Sequence, residues 1–237
     1  GAVLSLRPET IPAAVNCEQP SDYIDWHDSA LTVSADSRPW PRDAARPRIA
    51  GVSAFGMSGT NAHLVVEEYV ASETPVRALH AVPLVLSAKS AEALARRIAD
   101  LIDVLTAREW NAHALTAMSH TLLCGRQHFA HRCAVVAHDG DNAVHLLRQL
   151  QTGERLPNLF RGVVPREFAG QAALVEYAQG LFERLDAGDT DAARRQEALY
   201  ALTDLHCQGY ALPWARMFGA RPPRRIALPT YPFEREH

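Results

Sequence analysis

The sequence predicts an α/β protein, on three observations. Apolar runs of strand length stand at residues 84–87 and 132–137. Leu94, Ile98, Leu101, Ile102 and Leu105 recur at the spacing of one helix face. Two further apolar segments, 49–55 and 62–66, flank the glycine-bearing turn Phe55-Gly56-Met57-Ser58-Gly59-Thr60-Asn61.

Taken in order, residues 1–47 hold few periodic segments and carry prolines at 8, 12, 20, 39, 41 and 47. Residues 31–33 are a short strand candidate; the rest reads as extended chain that needs a larger body to pack on. Residues 48–68, RIAGVSAFGMSGTNAHLVVEE, organise the chain. The run Leu64-Val65-Val66 has the pattern of a strand buried on both faces. Gly56 and Gly59 permit positive φ and close backbone approach, and Ser58, Thr60 and Asn61 can tie the turn together. Such a turn either aims backbone N–H groups at a ligand or is a simple hairpin.

A linker is expected over 69–82, where Ser72, Glu73, Thr74 and Pro75 break any regular pattern, with a domain boundary near 75. From Pro83 onward a compact α/β pattern is predicted. Residues 84–87 form a buried strand, Ser90 caps a helix over 91–107, and a second helix runs over 112–124 to end at Gly125. Strand 132–137, a turn at Asp139-Gly140 and a helix over 142–151 follow. Residues 158–162 make a third strand, and two helices occupy 171–185 and 190–208. Two prolines force the tail LPTYPF into an extended course, with Leu228, Tyr231 and Phe233 as apolar anchors.

Composition excludes several classes. Across 237 residues, 47% are hydrophobic and 22% charged, as in ordinary globular proteins. A net charge of −3 with interspersed signs leaves no nucleic-acid footprint, and no apolar run is long enough to span a bilayer. The start lacks the pattern of a signal peptide, so a cytoplasmic location is expected. Cys17, Cys124, Cys133 and Cys207 show no CxxC pairing and read as reduced structural thiols. His113, His120, His128 and His131 lack paired ligand spacing, so no metal is expected. A G-x-S-x-G hydrolase elbow would need Gly at Thr60, and that reading fails. The absence of Met at position 1 is taken as processing or a fragment.

The string GVSAFGMSGTNAHLVVEE resembles the last conserved segment of the β-ketoacyl synthase domains of modular polyketide synthases, which have a thiolase-like fold. Ile24-Asp25-Trp26 and Arg38-Pro39-Trp40-Pro41 resemble the segment preceding it. LVLSAKSAEAL and GRQHFAHRCAVVA are similar to the linker domain that follows such synthases, and LPTYPF to the tail that wraps back over both. The resemblance implies residues 1–69 as the C-terminal synthase segment, 76–220 as an α/β linker or flanking subdomain and 221–237 as the wrapping tail. It implies that the Met57 backbone N–H is an oxyanion-hole donor of the complete enzyme. Phe55, Gly56, Met57 and Ser58 would then line the acyl pocket, while Gly59, Thr60, Asn61 and His63 are structural. No acyltransferase with its GHSxG motif lies between linker and tail, which implies the subtype served by a separate, trans-acting acyltransferase.

The implied activity is transfer of an acyl chain from an acyl carrier protein and its extension by decarboxylative condensation. The family's Cys and two His segments, resembling TACSS, HGTGT and NIGH, do not occur in these residues, so the chain alone is not expected to be active. No cofactor is expected to be bound; the phosphopantetheine arm of the carrier brings the substrate. The implied partners are the remainder of the ketosynthase, the carrier protein, a trans-acting acyltransferase and a second copy in a homodimer. Arg126 and Arg132 make either carbonyl and ion-pair contacts within the linker domain or contacts with an acidic carrier protein. The alternative reading is a non-catalytic docking module for a trans-acting acyltransferase or carrier protein.

Overall fold

The computed structural model describes residues 2–6, 8–15, 17, 19–43, 45–70, 77–154, 156–186 and 191–233. The chain divides into two units, Gly1–Thr74 and Pro75–His237.

The first unit begins with helix α1 (Ala2–Leu6), followed by β1 (Thr10–Ile11), which pairs antiparallel with β2 (Arg38–Pro39). This ribbon is short because Pro12 follows β1 at once and has no N–H to continue a ladder. The strand expected at 31–33 does not form. The Ala14 N–H reaches the Ser34 carbonyl at 2.7 Å, but proline at 12 removes the partner a strand there would need. Next comes the hairpin of β3 (Ile49–Phe55) and β4 (Asn61–Glu67), antiparallel, with Ser53 opposite His63 and Phe55 opposite Asn61.

Burial in this unit inverts the usual rule. Among its described residues only Arg48 and Glu68 are buried. The run expected to be buried on both faces is open, with Leu64 60% and Val65 63% exposed. The pattern was that of a core strand; the surface that would cover it is absent from this unit.

The second unit is built on an antiparallel three-stranded sheet of order β5-β6-β7, comprising Val82–Ala88, His131–Ala137 and Leu159–Val163. Every residue of β5 is buried, so the sheet is covered on both faces. Strand β5 starts within the expected linker, at Val82, and admits Pro83 because it lies at the sheet edge, where a missing N–H breaks no ladder bond. Its cover comes from α2 (Ala91–Thr106), α3 (Ala112–Cys124), α4 (Gly140–Thr152) and α6 (Ala192–Gln208), while α5 (Ala172–Asp186) packs on α6.

These helices start where their caps dictate. Ser90 Oγ accepts the Ala93 N–H at 3.2 Å, Asn111 Oδ1 the Ala114 N–H at 2.9 Å and Asp139 Oδ1 the Asn142 N–H at 2.7 Å. Each such cap is worth about 1 kcal/mol. The stripe Leu94, Ile98, Leu101, Ile102 and Leu105 is buried as one face of α2. A 3-10 turn at Trp214–Phe218, unforeseen from the sequence, seats both its terminal aromatics in the core.

The extended tail then returns across α3. The Ile226 N–H donates to Thr121 Oγ1 at 3.0 Å, and Arg225 Nη2 donates to the Cys124 carbonyl at 3.1 Å. The Lys89 N–H donates to the Tyr231 hydroxyl at 3.0 Å, and the Tyr231 ring lies 5.2 Å from that of Phe129.

Candidate functional site

The candidate site is the tip of the β3–β4 hairpin. Its loop is closed by the backbone: the Gly56 N–H donates to the Thr60 carbonyl at 2.8 Å and the Gly59 N–H to the Gly56 carbonyl at 3.0 Å. Gly59 has φ of 86°, the left-handed region that glycine alone adopts freely, and a Cβ on Gly56 would press on the Thr60 carbonyl at 2.8 Å. No side-chain hydrogen bond from Ser58, Thr60 or Asn61 is made within the described residues, so glycine and backbone, rather than the hydroxyls, hold this turn. The Met57 N–H likewise has no acceptor among the described residues. Phe55, at the end of β3, is 80% exposed and the Met57 side chain fully so. His63 Nδ1 lies 2.8 Å from Ser53 Oγ, its cross-strand partner, which fixes the ring against the sheet.

The other end of the hairpin carries residues that the sequence reading did not single out. Arg48 and Glu68 immediately flank the two strands, and the Glu68 N–H donates to the Arg48 carbonyl at 2.7 Å, extending the ladder by one pair. Arg48 Nε and Nη2 donate to Glu68 Oε2 and Oε1 at 2.7 and 2.6 Å, a bidentate pair. Arg48 Nη1 also donates to the Trp40 carbonyl at 3.0 Å, and Nη2 to Glu9 Oε1 at 3.3 Å. Arg42 Nε lies 2.7 Å from Glu68 Oε1. One guanidinium thus ties the hairpin to the Arg38-Pro39-Trp40-Pro41 element and to the start of the chain. The hydrogen bonds from Arg48, and then the nearby Arg42 charge, hold the Glu68 carboxyl down to about 2 despite its burial. The only sequence signal was position: an Arg just before the first strand of the hairpin and a Glu just after the second.

The remaining candidates resolve into structural contacts. Arg126 Nη2 donates to the carbonyls of Leu228 and Pro229, and Arg132 to those of Phe129 and His206. Both arginines therefore make carbonyl contacts within the second unit. Cys133 and Cys207 are buried, and burial pushes the Cys133 thiol up to about 12 and Cys207 higher still, which is the behaviour of inert core thiols. His128 Nε2 sits 3.0 Å from the Leu123 carbonyl, and burial lowers its pKa. Among the described residues no three His, Cys, Asp or Glu side chains gather so as to hold a metal ion. No helix among them is long and apolar enough to cross a membrane.

A glycine loop held by its own backbone thus stands at the tip of a hairpin whose apolar residues are open. Comparison with known proteins gives the family of the chain. Residues 83–147 match the family model described as CurL-like, PKS C-terminal. The chain is 39% identical over 98% of its length to the polyketide synthase ThaG of Burkholderia thailandensis, and 31% identical over 99% to the polyketide synthase PksN of Bacillus subtilis. It spans 4% of the length of each. Among solved structures, the ketosynthase from module 6 of the bacillaene synthase of Bacillus subtilis matches at a TM-score of 0.64 and 26% identity, over 100% of this chain and 42% of that one. The chain belongs with the C-terminal ketosynthase region of modular polyketide synthases, of the trans-acyltransferase type, and its α/β fold is that of ketosynthase domains.

Proposed function

We propose that these residues complete a ketosynthase that takes an acyl chain from an acyl carrier protein and extends it by decarboxylative Claisen condensation. The reactive Cys and the two His residues belong to the remainder of the ketosynthase. This chain supplies the loop that closes the acyl pocket, and its linker subdomain. The carrier's phosphopantetheine arm delivers the substrate thioester. A homodimer and a trans-acting acyltransferase complete the assembly.

One observation carries this reading. In the unit that bears the loop, the buried side chains among the described residues are an ion pair, while Val52, Phe55, Leu64 and Val65 stand open. Such a hairpin is an inner strand pair whose cover lies elsewhere. The chemistry follows from the turn. When a thiolate attacks a thioester, negative charge grows on the carbonyl oxygen, and a donor already in place stabilises it without reorganisation. The Met57 N–H is free of other acceptors among the described residues and rides on a backbone-locked loop. Phe55, Gly56 and Ser58 shape the pocket beside it, and Gly59, Thr60, Asn61 and His63 hold the shape.

The test is Met57→Trp with the remainder of the ketosynthase present, read as acyl loading of the active-site Cys by intact mass and as condensation rate. The bulkier side chain blocks the pocket, so loading falls; unchanged loading and condensation overturn the assignment. The docking-module alternative has its own support, since Pro75–His237 closes a hydrophobic core by itself. It predicts full loading in the variant and loss of partner binding when the linker subdomain is exchanged.

A further inference from the structure

The sheet of the second unit treats its two edges differently. On β5 the residues that face away from β6 are Pro83, Val85 and Ser87. Pro83 has no N–H, its carbonyl accepts from Ser119 Oγ at 2.7 Å, and the Ser87 carbonyl accepts from Arg97 Nη1 at 2.8 Å. That edge is closed by α3 and α2. On β7 the Val164 N–H donates to the Ala130 carbonyl at 2.9 Å, so by alternation Phe160 and Gly162 face β6. Arg161 and Val163 therefore turn their N–H and carbonyl groups outward. No strand pairs on that side, and among the described residues nothing meets those groups. Both residues are exposed, Val163 by 65%. The Leu159 N–H is engaged with the Leu156 carbonyl at 3.0 Å, so the open stretch begins at Arg161.

The side chains beside this edge say what can pair with it. Arg161 is held in place by Nη2, which donates to the Leu150 carbonyl near the end of α4. No ion pair reaches it within the described residues, and the hollow bordering the edge has no carboxylate in its described lining. The apolar members of that hollow, Leu94 and Ile98, are buried core, so it offers no open floor. What stands unpaired is backbone, with one fixed positive charge and one open valine. We propose that this edge takes an acidic extended segment of a separate protein as a fourth strand, antiparallel to β7. Antiparallel pairing is the pattern of the whole sheet, and it exchanges two backbone bonds with each outward-facing residue. The segment sets an apolar residue opposite Val163 and, two residues later, a glutamate opposite Arg161. Unpaired strand edges of this kind template further pairing, and the charge of Arg161 restricts which chains qualify. A second copy fits worse, because antiparallel pairing about Gly162 makes diagonal neighbours of two like-charged Arg161 side chains. The proposal goes beyond the ketosynthase reading and does not depend on it.

The probe is a labelled peptide of sequence Val-Thr-Glu-Thr-Val with blocked ends, titrated with the intact chain by fluorescence anisotropy. Two further forms carry a backbone N-methyl group, one on the glutamate, whose N–H faces β7, and one on the threonine before it, whose N–H faces away. Saturable binding of the plain and threonine-methylated forms is expected, with affinity lower by about tenfold or more for the glutamate-methylated form. This comparison uses the unaltered chain, so it stands whatever a substitution does to folding. Val163→Pro removes an outward N–H and no ladder bond to β6, so binding falls about tenfold while thermal unfolding stays at the parent value. Arg161→Glu lowers affinity about tenfold, and a peptide with lysine in place of glutamate recovers it. Equal binding of the two methylated forms, indifference of the folded Val163→Pro chain, or no saturation overturns the proposal. So does self-association in sedimentation that Val163→Pro abolishes while the peptide fails to bind, since that assigns the edge to a second copy of this chain.

Discussion

Arg48 and Glu68 close the open end of the hairpin twice over, by one backbone hydrogen bond and by two parallel side-chain bonds of 2.7 and 2.6 Å. Removing Arg48 leaves the buried Glu68 carboxylate with Arg42 alone, and removing Glu68 leaves buried Arg48 with Glu9 alone, so either loss costs more than the pair contributes when intact. Arg48→Met is therefore expected to fray the hairpin from its base and release the Arg38–Pro39 ribbon. The check is amide exchange across Gly51 and Val65, facing residues of the ladder.

The same pair sets an acid limit. The Glu68 carboxyl is held to about 2 against an ordinary value of 4.5, so the folded form binds its proton later than the unfolded form. Its stabilisation is fully present above pH 4.5 and is lost as pH falls from there through about 2. Carboxyl carbon shifts should place the Glu68 midpoint near the low value, and Glu68→Gln should flatten hairpin stability across that window.

His206 has the opposite chemistry and the same sign. Burial, with His128 and Arg132 nearby, pushes its imidazole down to about 3. Its Nδ1 accepts the Trp214 Nε1–H at 3.4 Å, so Nε2 carries the proton, and no hydrogen-bond partner meets Nε2 among the described residues. Below pH 6.5 the unfolded chain takes up a proton that the folded chain refuses, so stability falls as pH drops and is flat above 6.5. The loss from this residue is about 2 kcal/mol by pH 5. Urea titrations at pH 7.5 and pH 5 should differ less in His206→Gln than in the parent.

Gly162 lies where β7 and α6 touch, and a Cβ there would collide with the Cys207 carbonyl. Backbone cannot yield as a side-chain tip can, so Gly162→Ala is expected to cost about 1–3 kcal/mol. Thermal unfolding measures it; a melting point within a degree of the parent would show that the sheet and helix can part.

The elements of the second unit were legible because their signals are local. Ser90 with the Leu94 to Leu105 stripe marks a helix within sixteen residues. The strands at 84–87 and 132–137 were right in kind and short by a residue or more, since Val82 and His131 extend them only once paired. The strand expected at 31–33 failed because alternation says nothing about whether a partner exists. The run Leu64-Val65-Val66, expected to be buried on both faces, is open at Leu64 and Val65, because an apolar pattern does not say whether a covering surface is at hand. Arg48 and Glu68 escaped notice because charged residues beside a turn are usually solvated. What made them a core was the twenty-residue return of the chain, which no local window contains. The Met57 N–H, without an acceptor among the described residues, was equally invisible: sequence names the residue but not whether its donor is spent.

The bond between the Lys89 amide and the Tyr231 hydroxyl joins residues 142 apart, and it gives the second unit a calendar as well as a shape. A ribosome adding 5–20 residues each second makes the first of them roughly 7–30 s before the second. Through that interval Thr121, Cys124 and Arg126 have emerged without the strap that later occupies them. A nascent polypeptide of this kind finishes its subdomain from the far end, so a stall or a cut anywhere before Tyr231 leaves an unlatched intermediate for chaperones and proteases to find.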